Sequence, residues 1–247
     1  MREAERRREV RERDADVARE AILRAAREIF AARGFSGARV DDIAEAAGYN
    51  KALIFHYFSD KLGLYQTLVA RMKSDIIGRL SAYLRQFEEG EEYANQVERC
   101  ATLFTSCVRW LFDYYVAHPE IHRMMLWEAA EGWHTFSGCV AKVEDPTWPL
   151  RILRVIRQAQ TNGIIRADLS AELPLMMCMS LPVIYLGSIH RFEAIFGEHD
   201  YATPEALIQA REQIASLLVQ GILTPDAASA YAAITRGEGE QDHANGV

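Results

Sequence analysis

Apolar side chains recur with helical spacing along almost the whole chain. Between residues 16 and 33 they fall on one face of a helix. They are Val17, Ile22, Ala25, Ala26, Ile29 and Phe30. The pair Gly34-Phe35 is expected to end this helix. No stretch shows a convincing strand alternation, so the pattern predicts an all-α protein.

Two short helices, separated by a tight turn, are predicted next. The first runs over Val40–Ala47, and Gly48 ends it because glycine tolerates the left-handed backbone of a helix C-terminus. Asn50 is expected to cap the second helix, which buries Ile54 and Phe58, four residues apart. Two such helices form a helix-turn-helix, whose second helix can enter the major groove of DNA.

The second of these helices leaves a polar and aromatic face outward. Ala52 is small enough for close approach to base edges, Lys51 can donate to phosphates, and Phe55 can touch thymine methyl groups. Ser59 is expected to cap the following helix. An ordinary helical hairpin with a solvated face is the alternative on composition alone. The candidate DNA-binding residues are Arg39, Asn50, Lys51, Ala52, Leu53, Phe55, His56, Tyr57 and Lys61.

Helix breakers divide the rest of the chain. They predict helices over about 60–72, 75–88, 94–117, 120–131, 150–161, 171–196 and 205–221, a short helix over 225–235 and a looser segment over 137–149. The predicted organisation is a charged arm over 1–15, a helix-turn-helix domain over 16–73, a larger helical domain over 74–235 and a disordered tail over 236–247.

The distribution of charge supports this division. The net charge is −7, which argues against nucleic-acid binding by the whole surface. Residues 1–73 nevertheless carry a net charge of +3, whereas residues 74–247 carry −10. The arm has six arginines within its first 13 residues, alternating with acids. It is expected either to fray or to reach the minor groove or phosphates beside the main site.

No enzymatic, metal or cofactor chemistry is predicted. The chain has no glycine-rich phosphate loop, no Gly-x-Ser-x-Gly and no His-Glu-x-x-His. Cys100, Cys107, Cys139 and Cys178 lack Cys-x-x-Cys spacing, which favours reduced thiols in the cytoplasm. The remaining pair of candidate metal ligands, His118 and His122, brackets Pro119 at a helix boundary, so both are expected to be surface residues.

The segment Leu173–Ile189 contains no charged residue over 17 positions. That length barely reaches the span of a bilayer, and Pro174 and Pro182 interrupt it. A helix buried in a water-soluble protein is therefore favoured over a membrane span.

Aromatic and sulfur-containing side chains cluster in the middle of the chain. Ligand sites are mostly apolar with a few polar groups, and this cluster has that composition. The candidate ligand-binding residues are Phe104, Cys107, Trp110, Leu111, Tyr114, Met124, Trp127, Glu128 and Trp133. An ordinary core is an equally good interpretation of any one of these side chains. A small helical enzyme with an apolar pocket, and an architectural DNA-binding protein without a ligand, are the alternative functions.

The stretch from residue 29 to residue 64 closely resembles the N-terminal domain of the TetR family of transcriptional regulators. The resemblance is carried by Gly34-Phe35, Asp42-Ile43-Ala44, Gly48, the run from Phe55 to Phe58, and Lys61. Ala38 and Arg39 replace the hydroxyl residues usual before the second helix. Arg39 could substitute as a phosphate clamp.

The resemblance implies a homodimer that binds a palindromic or near-palindromic operator in double-stranded DNA and is released by a small-molecule inducer. An apolar or amphipathic inducer is expected, with repression as the outcome. Family architecture would place the dimer interface on the helices over 171–196 and 205–221. The residues expected there are Val183, Ile184, Leu186, Gly187, Ser188, Ile208, Ile214, Ala215, Leu218 and Val219.

Overall fold

The computed structural model describes residues 2–85, 93–140, 147–197 and 200–244. These residues form helices, with one isolated antiparallel bridge, between Ile165 and Leu223. In chain order the helices are α1 Arg2–Gly37, α2 Val40–Ala47, α3 Lys51–Phe58, α4 Lys61–Arg85, α5 Tyr93–Ala117, α6 Pro119–Ala130, α7 His134–Val140, α8 Trp148–Thr161, α9 Glu172–Phe196, α10 Pro204–Ile222 and α11 Pro225–Ala244.

The chain divides into two compact units. Unit 1 comprises Met1–Ile76 and His118–Glu144, and unit 2 comprises Ile77–Ala117 and Asp145–Val247. The helix-turn-helix thus shares a unit with α6 and α7, which the sequence analysis assigned to the second domain. Helix α1 explains this grouping, because it packs against both α2 and α6.

Unit 1 is built around the apolar face predicted for α1, except that Val17 of that face is exposed. Ile22 and Phe30 are fully buried, together with Ile43 of α2 and Ile54 of α3. Tyr65 of α4 completes an aromatic cluster, since its ring meets those of Phe30 and Phe35 edge-on, at centroid distances of 5.0 and 5.2 Å. These contacts fix the first turn of α4 against the end of α1.

Helix α1 differs from its prediction at both ends. It begins at Arg2 rather than near residue 16, so the backbone of the arm is helical. At the other end Gly34 leaves the helical region, with φ 69° and ψ 176°, and one further turn follows to Gly37. Residues with this combination of angles are almost always glycine. The predicted break is therefore a kink, which directs Phe35 towards Tyr65.

Unit 2 is organised around α5, which packs against α9, α10 and α11. Its buried core includes Phe104 and Val108 of α5, Ile156 of α8 and Leu218 of α10. The bridge between Ile165 and Leu223 closes one end of this core.

A chain of ion pairs supplements the core of unit 2. Arg109 of α5 binds Glu212 of α10 through Nε, at 2.9 and 3.0 Å. Glu212 also meets Arg211, which in turn binds Asp113 at 2.7 and 2.8 Å. Hydrogen bonding to Arg109 is the main reason that the pKa of Glu212 lies below its ordinary value. Because opposite charges alternate, α5 and α10 are held in one register.

Three further helices depart from their expected bounds. Helix α4 is continuous across the break expected near residue 73. Helix α7 overlaps the start of the segment expected to be loose. Helix α11 continues to Ala244, through most of the expected disordered tail. Glutamate and glutamine in that tail are good helix formers, so its polarity does not prevent helix formation. Residues 86–92, where the helix expected over 75–88 ends, lie outside the described residues.

Helix α9 is long and apolar enough to cross a membrane by length and composition, with a mean hydropathy of 1.5. Its apolar residues fall on two faces. Cys178, Val183 and Ile189 are buried in unit 2, whereas Met176 and Ile184 are exposed. The helix is therefore only partly buried, and its charge-free sequence reflects two separate apolar surfaces.

The exposed face of α9 corrects part of the expected dimer interface. Val183, Ala215, Leu218 and Val219 are buried within their own unit and are unavailable to a second chain. Helical spacing places Ala215, Leu218 and Val219 in the same core as residues of α5, a direction that the sequence alone could not specify.

Substitution of Gly34 by alanine should destabilise unit 1. The added Cβ would lie 3.1 Å from Cδ2 of Trp127, at a backbone conformation that alanine rarely adopts. We expect a loss of about 2–3 kcal/mol in the free energy of unfolding, measured by chemical denaturation.

Gly78→Ala is the matched control. Gly78 lies inside α4 with no atom within 4 Å of an added Cβ. That change should leave stability equal or raise it by about 0.5–1 kcal/mol. Equal stability of the Gly34→Ala variant and the unmodified protein would contradict the assigned backbone geometry.

Candidate nucleic-acid interface and its buried support

The helix-turn-helix forms as the sequence predicted. Gly48 ends α2 in the left-handed conformation, with φ 74°. Asn50 then caps α3, because its Oδ1 accepts a hydrogen bond from the backbone N–H of Leu53 at 2.8 Å. Ile54 and Phe58 are buried, which fixes the rotation of α3 about its axis. The opposite face of α3 is consequently presented to solvent.

The predicted DNA-binding residues lie on or beside that solvent-facing side. Arg39, Lys51, Ala52, Phe55 and His56 are exposed. Three others, Leu53, Tyr57 and Lys61, are half-buried. Arg39 precedes α2 in an extended conformation and makes no side-chain cap, so its guanidinium is not used for that purpose. Asn50 has its carbonyl oxygen engaged in the cap, which leaves its amide N–H₂ for other contacts.

Two cations at this surface have intramolecular partners. Lys51 Nζ lies 2.9 Å from a carboxylate oxygen of Asp41. Lys61 Nζ lies 4.7 Å from the centroid of the Phe35 ring and donates to the Ser36 carbonyl at 3.4 Å. Partial burial lowers the pKa of Lys61 despite the opposing field of Glu131. Lys61 therefore supports the end of α1 as well as presenting a charge.

Asp60 rather than Ser59 caps α4. Its Oδ1 accepts from the backbone N–H of Gly63 at 2.6 Å. Ser59 instead takes a left-handed backbone, with φ 67°, and its N–H donates to the Phe55 carbonyl at 2.9 Å. The tight turn thus assigns Ser59 to the end of α3 and moves the capping position by one residue.

The arginines before residue 13, on which the expected arm contact with DNA depends, lie outside the residues whose side chains are described.

A buried carboxylate supports this surface from behind. Glu128 of α6 is 1% exposed. Its Oε1 accepts from the Tyr65 hydroxyl at 2.6 Å, and its Oε2 accepts from the backbone N–H of Phe136 at 3.0 Å. One side chain therefore joins α6, α7 and the first turns of α4. Because a buried carboxylate requires such partners, these three segments are mutually dependent.

Trp127 makes a second connection from α6. Its indole Nε1 donates to the Ala31 carbonyl at 3.1 Å, and its ring lies over Gly34. A surface hollow of about 390 Å³ remains beside it, lined by Ala31, Ala32, Arg123, Leu126 and Trp127. The corner that follows is strained, since Trp133 has a positive φ of 62° after Gly132 at 76°.

The predicted ligand-binding residues fall into two groups. Those on α5, in unit 2, are Phe104, Cys107, Trp110, Leu111 and Tyr114. Those on α6 and in the following corner, in unit 1, are Met124, Trp127, Glu128 and Trp133. Trp127 and Glu128 have hydrogen-bond partners within unit 1, and the ligand-binding role expected for them stays a prediction. The expectation that both histidines are surface residues is wrong for His122, which is buried.

On α5 the candidate residues differ in their burial. Phe104 and Leu111 are buried, whereas Cys107, Trp110 and Tyr114 are half-buried. The rings of Trp110 and Tyr114 stack at 5.0 Å. Cys178 of α9 lies opposite, with its Sγ 3.9 Å from the Phe104 carbonyl oxygen. A hydrogen bond with the adjacent Cys107, together with burial, raises the pKa of the Cys178 thiol, so it packs here as a neutral group.

A helix-turn-helix followed by a larger set of helices is the architecture of a DNA-binding regulator. Comparison with known proteins identifies the family. The model of the bacterial regulatory proteins of the TetR family matches residues 22–68. The tetracyclin repressor-like C-terminal domain matches residues 102–218. The chain belongs to the TetR family.

Individual relatives agree with this assignment. The transcriptional repressor NicS of Pseudomonas putida is 25% identical over 222 residues, which cover 86% of this chain and 96% of NicS. The repressor SCO4008 of Streptomyces coelicolor is 27% identical over 153 residues, covering 62% of this chain and 70% of that protein. Among solved structures, FadR of Bacillus subtilis, in complex with stearoyl-CoA, has a TM-score of 0.57 at 17% identity, covering 82% of this chain and 98% of FadR.

Glu128→Gln should destabilise unit 1 by about 1–3 kcal/mol. An amide has one oxygen acceptor where the carboxylate has two, so one buried N–H or O–H loses its partner. Chemical denaturation measures the change. Glu28→Gln, at an exposed carboxylate on α1, is the matched control and should change stability by less than about 0.5 kcal/mol. An equal, small effect of both substitutions would show that the carboxylate of Glu128 is not needed to hold its two donors.

Proposed function

We propose that this protein is a homodimeric, cytoplasmic transcriptional repressor that binds a palindromic operator and is released by a small apolar or amphipathic molecule. The principal support is the solvent-facing side of α3, held in one orientation by buried Ile54 and Phe58. Membership of the TetR family supports a regulator rather than an enzyme.

In the proposed DNA complex, α3 enters the major groove. Ala52 permits close approach, and Leu53 and Phe55 meet thymine methyl groups. Lys51, His56 and Tyr57 donate to phosphates or bases, and the exposed guanidinium of Arg39 adds a phosphate contact from the start of α2. Lys61 contributes a charge at the start of α4.

The proposed dimer uses the exposed stripe of α9. Successive members are three or four residues apart, which is the spacing of one helix face. They are Leu173, Met176, Ser180, Ile184 and Gly187. Met176 and Ile184 are 57% and 59% exposed in the single chain. On α10 the exposed side chain of Leu217, followed by Gly221, extends the apolar surface. A second copy would cover these side chains, and twofold symmetry implies two related half-sites in DNA.

The proposed inducer site lies on the half-buried face of α5. The stacked rings of Trp110 and Tyr114 offer an apolar wall, and the Tyr114 hydroxyl adds a polar group. This assignment keeps the α5 part of the predicted cluster and releases Trp127 and Glu128 to another task.

The other role proposed for Trp127 and Glu128 is to couple inducer binding to the helix-turn-helix. Helix α5 leads into α6 at His118, and α4 belongs in part to each unit. A shift of α6 would act on α4 through Glu128 and Tyr65, and on the end of α1 through Trp127. The inducer would release DNA by favouring an arrangement of the dimer in which the two copies of α3 no longer match successive major grooves. A hundredfold release requires about 3 kcal/mol of differential affinity.

The DNA-binding proposal is tested with Ala52→Glu. A duplex is first selected from a randomised library by the unmodified protein, and its affinity is measured by fluorescence anisotropy. A glutamate at position 52 would place bulk and negative charge against the groove, so affinity should fall at least a hundredfold. Ala46→Glu makes the same change at an exposed alanine of α2, and its affinity for the duplex should fall only a few-fold. Equal losses for the two variants would show that α3 is not the recognition helix.

The dimer proposal is tested with Ile184→Glu. The unmodified chain should sediment as a dimer at micromolar concentration, and the variant as a monomer, because two carboxylates would be buried in the interface. Leu150→Glu, at a side chain 64% exposed on α8, should remain dimeric. A monomeric unmodified chain, or a dimeric Ile184→Glu variant, would show that the stripe has another purpose.

A further inference from the structure

An acidic residue lies among the candidate DNA contacts. Asp41, in the first turn of α2, is exposed, and its two carboxylate oxygens lie 2.9 and 3.1 Å from Lys51 Nζ. Lys51 is the first residue of α3, and its ammonium also lies 5.8 Å from the centre of the Phe55 ring. The pair therefore joins the beginnings of the two helices at the surface proposed to meet DNA.

This arrangement opposes the ordinary use of a lysine at such a surface. An unpaired ammonium attracts phosphates of any sequence. Here the carboxylate neutralises that charge, so a phosphate must first displace Asp41. The displaced carboxylate then remains close to the polyanion. As a stabilising contact the exposed pair contributes little to folding, which leaves its effect on DNA binding as the larger consequence.

A carboxylate also has a specific partner in DNA. Aspartate can accept a hydrogen bond from the N4 amino group of cytosine in the major groove. At a site with cytosine in the right position, Asp41 would exchange Lys51 for the base, and Lys51 would be free for a phosphate. At other sites Asp41 would have no such compensation.

We propose that Asp41 is a specificity-determining residue. It suppresses sequence-independent DNA binding by pairing with Lys51, and it releases Lys51 to a phosphate where the N4 amino group of a cytosine donates to Asp41 in place of Lys51. The inference rests on the proposed role of α3 in DNA recognition. It concerns the ratio of specific to non-specific affinity rather than the presence of DNA binding.

The experiment compares the library-selected duplex with a scrambled duplex of equal composition over a range of salt concentrations. Asp41→Asn should bind the scrambled duplex about fivefold more tightly, because one lysine charge is released. The slope of log affinity against log salt should steepen by about 0.9, the value for one additional phosphate contact. The ratio of the two affinities should fall. Asp41→Ala should behave alike, since it too frees Lys51.

Two controls separate this mechanism from a general effect of charge. Glu45→Gln removes one negative charge from the exposed side of the same helix and should leave the scrambled-duplex affinity nearly unchanged. In a Lys51→Gln background, Asp41→Asn should have a clearly smaller effect, because the cation it would release is absent and only the repulsion between Asp41 and the phosphates is removed. Thermal unfolding checks that α2, which keeps Asp42 in its first turn, remains folded.

The outcomes are distinct. Scrambled-duplex affinity that is unchanged or weaker in Asp41→Asn overturns the proposal. An increase of the same size in the Lys51→Gln background, or one that Glu45→Gln reproduces, also overturns it, since the pair would not be the cause. Failure of the unmodified protein to prefer any duplex would instead contradict the proposed function.

Discussion

The hydrogen bond from Tyr65 to the buried carboxylate of Glu128 is the interaction on which the first unit depends. A carboxylate with 1% exposure is tolerable only if donors surround it, and here one donor comes from α4 and one from the start of α7. Tyr65 also packs edge-on against Phe30 and Phe35. The orientation of the first turns of α4, and hence of the turn that ends α3, is therefore coupled to α6. The compact unit that contains the helix-turn-helix is therefore larger than a three-helix domain.

This explains why the sequence predicted the helices better than their grouping. Periodicity reports which face of a helix is apolar, and it identified α2, α3, α5, α9 and α10 with nearly correct bounds. It does not report which helix covers that face. Trp127 and Glu128 were assigned to a ligand pocket because aromatic and acidic side chains near a predicted apolar helix have that composition. Their partners, the Ala31 carbonyl and the Tyr65 hydroxyl, lie 96 and 63 residues away in the chain, so no local pattern could reveal them.

The recognition helix was the most predictable part of the site, for a related reason. Much of its geometry is set by features of its own segment: Gly48 in the turn, Asn50 at the cap, and Ile54 and Phe58 beneath. The one local error, Ser59 in place of Asp60, arose because two adjacent residues can both cap a helix. The left-handed turn at Ser59 decides between them, and a hydroxyl residue with positive φ is not evident from composition.

Helix α9 carries the same argument to the second unit. A single sequence without charges over 17 positions can serve a membrane, a core or an interface, and composition does not distinguish them. The packing of Cys178 against α5 assigns one face to the core. The opposite face, with Met176 and Ile184 more than half exposed, is left without a role inside the chain. Each of these two faces is a stripe, with spacing that matches a helix packed on two sides. A membrane would require the lipid-facing surface to continue around the helix, whereas a second protein chain requires only the one stripe that remains. The proposed dimer follows because the exposed apolar surface of α9 is a single stripe and does not continue around the helix.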